Sequence, residues 1–382
     1  MSVQAKLDKK PPYKLLACDG GGIRGIISIE ILAKVEDELR VSSGNAKLVL
    51  ADYFDYVAGT STGAIIATLV SLGFSVAEIR AFYLESGAQM FEKAPFWERW
   101  FWKFRPQRLA EMLQRILSQK TGEPVPTLGS AMLRTLLMLV LRNATTDSPW
   151  PISNNPRAKY NDLAVRGDYS NLHLPLWQLV RASTAAPTYF APEIITINPR
   201  NLRKFIFVDG GVTMYNNPAF QLFLMATSEP YRLGWRAGEN EMLIVSVGTG
   251  TSAGAKATLR VEDMTLLFNA STIPSALMAA ASHEQDFLCR IFGRCLAGDP
   301  IDREVSDVIR QGIPGVPKLF TYVRYDPDLS REGLATLGLD HIRPEHVQQM
   351  DSVAYINEMQ EVGRAAAQRY VDTKLQFVGF PH

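Results

Sequence analysis

Short apolar runs alternate along the chain with longer stretches in which apolar residues recur every three or four positions. Residues 14–18 form an apolar run stopped by Asp19 and three glycines, which predicts a buried strand. Over residues 24–39, Ile27, Ile31, Val35 and Leu39 fall on one face of a helix. Residues 56–58 predict a second short strand, and 62–72 an apolar helix. Further strands are expected at 205–208, 242–247 and 319–325, and residues 344–371 have a helical composition. Strands separated by helices predict an α/β protein with a mostly parallel central sheet flanked by helices. Between about 91 and 160 the pattern reads as an aromatic-rich helical insertion beside that core. No Pro/Gly/Ser-rich linker divides the chain. The expected layout is therefore a polar tail at 1–12 and one elaborated domain over 13–382, extended after about residue 250. The tail lacks an apolar stretch of the secretory kind. The longest apolar runs, 136–141 and 64–70, fall far short of the ~20 residues that cross a bilayer.

Composition narrows the function classes. The 382 residues carry 40 Lys and Arg against 39 Asp and Glu, a net charge of +1, so a surface built throughout for nucleic acid is not expected. Hydrophobic residues make up 47%, enough for a large core without disulfides or metals. Three cysteines rule out a disulfide scaffold and suit a reducing compartment. No CxxC or HExxH spacing occurs, so no metal site is expected. With five histidines, catalysis would have to run on few imidazoles.

Three segments carry candidate chemistry. Gly59-Thr60-Ser61-Thr62-Gly63 is a GxSxG sequence between a predicted strand and a predicted helix, the setting of a serine nucleophile on a tight turn. A turn with a helix-capping serine is the plainer reading. Asp19-Gly20-Gly21-Gly22-Ile23-Arg24-Gly25 places three glycines at a strand end, where backbone N–H groups converge on an anion or a developing oxyanion. Gly20, Gly22 and Gly25 also spell the GxGxxG of dinucleotide sites, but the acids at 36–38 fall on the predicted helix rather than at a second strand's end. Asp209-Gly210-Gly211 ends another predicted strand; by itself such an aspartate reads as a turn residue. His173 and His283 could complete a triad with Ser61, though neither sits in a motif that places it there.

Taken together, DGGGIRG at 19–25, GTSTG at 59–63, STAAPTYFAP at 183–192, FVDGGV at 207–212 and VSVGTGT at 245–251 resemble the patatin-like phospholipase family. The resemblance implies a three-layer fold and a serine–aspartate dyad, with Ser61 as nucleophile and Asp209 as its base. It implies an oxyanion hole around Gly20, Gly21, Gly22 and Arg24, with Gly25, Gly59, Gly63, Gly210 and Gly211 as motif glycines. It further implies hydrolysis of acyl esters of phospholipids or other lipids without a cofactor. An aspartate in water is too weak a base for an alcohol, so such a dyad requires desolvation.

Residues 91–108, FEKAPFWERWFWKFRPQR, add a candidate lipid contact. Five basic residues against two acidic give a local +3, and Trp97, Trp100, Phe101 and Phe104 share one helical face. A buried aromatic helix or an oligomer contact is the rival reading. The layout after residue 250 also resembles bacterial anti-phage effectors switched on by a cyclic nucleotide, though no residue marks a nucleotide site. The expectation is a cytoplasmic acyl hydrolase, peripheral at the inner face of a membrane, with self-association left open. Dinucleotide binding through 20–25, or a storage or scaffold homologue without catalysis, are the alternatives.

Overall fold

The computed structural model describes residues 3–90, 92, 103–198, 203–251, 260–263, 265–302 and 304–381. Its centre is a nine-stranded mixed sheet. The strands are β1 (Tyr13–Cys18), β2 (Tyr56–Thr60), β3 (Leu136–Asn143), β4 (Ser148–Ser153), β5 (Glu193–Asn198), β6 (Arg203–Asp209), β7 (Met242–Val247), β8 (Arg294–Ala297) and β9 (Thr321–Tyr325). They run in the order β5-β6-β3-β2-β1-β7-β9-β8, with β4 paired to β3 outside that path. The six from β3 to β8 along this order are parallel; β4, β5 and β6 pair antiparallel.

The inner strands β1, β2, β7 and β9 are buried along their whole length, as strands covered on both faces must be. Successive residues face opposite layers. Leu16, Cys18 and Val57 join the core under the helices Gly25–Ser43, Thr62–Ser71 and Ile356–Tyr370. Leu15, Ala17, Tyr56 and Ala58 join the core under the Ala219–Thr227 helix. The Gly25–Ser43 helix ends where Gly44 takes φ 65°, a left-handed C-cap.

Three expectations change. Residues 91–160 are not uniformly helical: Pro106–Thr121 is a helix, but β3 lies at the heart of the sheet. Its Leu-Leu-Met-Leu-Val-Leu run suits either a helix or a strand, and pairing with β2 on one side and β4 on the other decides for the strand. The chain after residue 250 is no appended extension, because β9 pairs β7 and β8 and so completes the sheet. The segment read as a polar tail contains a helix, Val3–Leu7. There Leu7 enters the core and the buried Lys6 ammonium meets Asp55 at 2.8 Å.

Strand register prepares the site. β2 ends with Thr60 opposite Val140 of β3, and β6 arrives antiparallel with Asp209 opposite the next residue, Leu141. Because β4 occupies the other edge of β3 over 138–143, β2 and β6 share this one. Ser61 and Asp209 therefore meet where the carboxyl ends of the two strands abut along β3.

Candidate active site

Ser61 follows β2 directly and precedes the Thr62–Ser71 helix. Its backbone has φ 55° and ψ −122°, a strained conformation for a residue with a side chain. The strain is held by neighbours. A Cβ at Gly59 would lie 2.0 Å from the Gly63 carbonyl oxygen, and one at Gly63 would lie 2.1 Å from the Cys18 carbonyl oxygen. The Ser61 N–H donates to Ser183 Oγ at 2.9 Å, and that hydroxyl donates to the Val140 carbonyl at 2.6 Å. Ser183 thus fills the gap between the ends of β2 and β6. It was legible in the sequence only as part of the STAAPTYFAP block.

The Ser61 hydroxyl donates to Asp209 Oδ2 at 2.6 Å. Asp209 Oδ1 accepts the Gly211 N–H at 2.7 Å, which fixes the carboxylate plane. Burial pushes the Asp209 carboxyl up to about 6, while the bonds from Ser61 and Gly211 and the charge of Arg181 hold it from rising further. The result is a desolvated carboxylate of raised basicity in contact with one alcohol. Arg181 is buried, and burial brings its guanidinium down to about 10. One of its donors reaches the Ala191 carbonyl at 3.0 Å, and its guanidinium lies over the Phe190 ring. No sequence motif singled it out.

The glycine loop after β1 lies beside Ser61. Gly21 and Gly22, but not Gly20, line a cavity of about 460 Å³ together with Ser61 and Asp209. The Gly20 N–H is already committed to the Asn216 carbonyl at 3.2 Å. Among the described residues neither Gly21 nor Gly22 gives its N–H to an acceptor. The candidate oxyanion donors are thereby reduced to two. Arg24 does not line the cavity either; its Nη1 donates to the Gly250 carbonyl at 3.2 Å, and Nε reaches the Gly21 carbonyl at 3.5 Å. Through these bonds it braces the loop, and it lines instead a neighbouring cavity together with Asp19, Gly20 and Thr249. Gly25 opens the Gly25–Ser43 helix against Thr62, and Gly210 packs on the Val140 carbonyl.

The rest of the cavity is mostly apolar, with Ile65, Met90, Leu109, Phe190 and Met278 among its walls and Thr184, Thr188 and Asn216 as polar members. Neither His173 nor His283 lines it, and both are exposed. Trp97, Trp100 and Phe101 lie outside the described residues. Phe104, expected on the same lipid-facing side, is buried, packed on Tyr189 and Phe190. Residues 103 and 104 are not helical; their N–H groups go to the Thr188 and Tyr189 carbonyls, at 3.0 and 2.8 Å. The dinucleotide reading loses its acids: all three lie on the Gly25–Ser43 helix, with Glu36 buried and accepting the Leu50 and Val76 N–H groups, Asp37 paired with Arg40 and Glu38 accepting the Thr373 N–H. Among the described residues no group of side chains could hold a metal ion, and no helix is long and apolar enough to cross a membrane.

Comparison with known proteins bears on this geometry. Patatin-17 of Solanum cardiophyllum is 30% identical over 255 residues, covering 63% of this chain and 61% of that protein. Patatin-T5 of Solanum tuberosum is 28% identical over 263 residues, covering 65% and 63%. The chain thus spans less than two thirds of the length of these relatives. The crystal structure of VipD from Legionella pneumophila aligns over 92% of this chain and 67% of that one, at 12% identity and a TM-score of 0.33, too loosely to bear on the site. The family profile "Patatin-like phospholipase" matches residues 16–223, from β1 through the glycine loop, the Ser61 turn and Asp209 into the Ala219–Thr227 helix. On that match the chain belongs to the patatin-like phospholipase family.

Proposed function

We propose that this chain is a serine acyl hydrolase that cleaves ester-linked fatty acyl chains from lipids, working through a Ser61–Asp209 dyad. One observation carries the reading: a strained serine and a desolvated aspartate that share a 2.6 Å hydrogen bond line a mostly apolar cavity. Asp209 takes the Ser61 proton as Oγ attacks the ester carbonyl. The carbonyl oxygen becomes an oxyanion facing the Gly21 and Gly22 N–H groups. Protonated Asp209 then returns the proton to the leaving alcohol, and water repeats the cycle on the acyl-enzyme. The apolar walls suit an acyl chain, and no charged side chain other than Asp209 lines the cavity among the described residues. Labelling by a fluorophosphonate, with release of fatty acid from phospholipid vesicles, tests the proposal. Ser61→Ala should abolish both; retained hydrolysis in folded Ser61→Ala protein would overturn it.

Two finer expectations belong to the same proposal. Changing Trp97, Trp100 and Phe101 to Ser should weaken vesicle binding while sparing hydrolysis of a soluble ester; equal losses on both substrates would remove the membrane role. Control by a cyclic nucleotide in bacterial defence is tested by rates with and without cyclic nucleotides, and equal rates would remove it.

A further inference from the structure

The match to the family ends at residue 223, yet the glycine loop is buttressed from beyond it. β7 ends at Val247 and the chain runs on through Gly248 to Thr249, a buried residue. The Thr249 hydroxyl donates to the Gly20 carbonyl oxygen at 3.0 Å. That carbonyl belongs to the same peptide group as the Gly21 N–H. In a trans peptide the two ends point in opposite directions, so a bond that holds the carbonyl also aims the amide. Here the carbonyl end is turned to Thr249 and Gly21 itself borders the Ser61 cavity. Contact between the two residues is close: a Cβ on Gly21 would sit 2.0 Å from Thr249 Oγ1. Donation to a carbonyl also polarises the amide, which strengthens what its N–H can give to an anion.

We infer that Thr249 is a positioning residue for the oxyanion hole, holding and polarising the Gly20–Gly21 peptide so that its N–H meets the developing charge. The inference rests on the acyl-hydrolase reading above. Thr249 is held in turn. The preceding Gly248 gives its N–H to the Tyr325 carbonyl of β9 at 2.8 Å, and the next residue, Gly250, gives its N–H to Asp326 at 2.8 Å and accepts from Arg24, so both flanks of the threonine are tied down. The VSVGTGT motif, which the dyad leaves without a part, acquires one.

The test compares Thr249→Val, which keeps the shape and loses the hydroxyl, with Thr249→Ser, which keeps the hydroxyl. A soluble acyl ester reports kcat and KM, and the rate of fluorophosphonate labelling reports on Ser61 directly. Thr249→Val should lower kcat and the labelling rate about five- to tenfold, the size of one neutral hydrogen bond, with KM and the pH profile unmoved. Thr249→Ser should stay within about twofold of the unaltered protein. The inference is overturned if Thr249→Val keeps full kcat, if Thr249→Ser falls as far as Thr249→Val, or if the loss lies in KM alone. Should Thr249→Val fail to fold, Thr249→Ala takes its place under the same criteria. Ser61→Ala run in parallel separates the two claims. Hydrolysis that survives it defeats the mechanism as a whole, whereas an inert Ser61→Ala beside a fully active Thr249→Val defeats only the role of Thr249.

Discussion

Asp19, the last residue before the glycine loop, takes both terminal nitrogens of Arg324 from β9, at 3.0 and 2.6 Å. The arginine also donates to Ser246 and to Asp326, at 2.7 and 2.6 Å, and all three charged groups are more than nine-tenths buried. Removing one member of such a set leaves an uncompensated charge in the interior. Arg324→Met should therefore cost about 3–5 kcal/mol, read from denaturant midpoints. Adding Asp19→Asn to it should recover part of that loss, and a double variant no more stable than the single one would contradict the pairing.

Activity should fall with acid for a local reason. In the proposed dyad Asp209 acts as the carboxylate, and burial has moved its titration up to about 6. The rate should climb through pH about 6 and then level off. The stability sign is opposite: the folded state binds this proton more tightly than the unfolded chain, so the group's contribution is full below the ordinary carboxylate range and is lost as pH rises through about 6. Asp209→Asn, a mimic of the protonated form, should lower the rate roughly 10²–10⁴-fold while the thermal midpoint does not drop. A large fall in that midpoint would show the carboxylate to be structural.

Gly63→Ala should fail by collision rather than by chemistry. The added methyl would enter the space of the Cys18 carbonyl, at 2.1 Å, and neither backbone can retreat without shifting β1 or the Thr62–Ser71 helix. A loss of at least ~1–3 kcal/mol is expected, measured by thermal unfolding. A stable, fully active variant would show that the turn has room this geometry denies.

Phe104→Ala should act on stability. The ring is 3% exposed and packs against Phe190 at 5.6 Å between centroids. Truncation should cost about 3–5 kcal/mol by melting, and vesicle binding measured on the folded fraction should be unchanged. Weaker vesicle binding at unchanged stability would return Phe104 to the lipid contact.

Much of the fold could be read from the chain. The strand at 242–247 matches β7 residue for residue, and β1, β2 and β6 lie where apolar runs end in turn residues. β3 was hidden because leucine and methionine carry little strand preference and its short apolar run fits two geometries. β4 contains two prolines and β8 only four residues, so neither shows the alternation that marks a strand. At the site, the serine, the aspartate and the glycines were legible as motifs. Gly20 was read as a donor because a sequence does not reveal that an amide is already taken, here by Asn216. Arg181 and Ser183 reach the site only through tertiary packing.

The place of β9 between β7 and β8 has a consequence for how the protein is made. A ribosome that has delivered Ser61, Asp209 and even Thr249 has not yet delivered residue 321, the first of the strand that covers β7. Until then β7 is a bare edge, and Asp19 lacks its arginine. A chain cut short before residue 321 would carry Ser61, Asp209 and Thr249 but neither the Arg324 that holds Asp19 nor the Asp326 that holds Gly250.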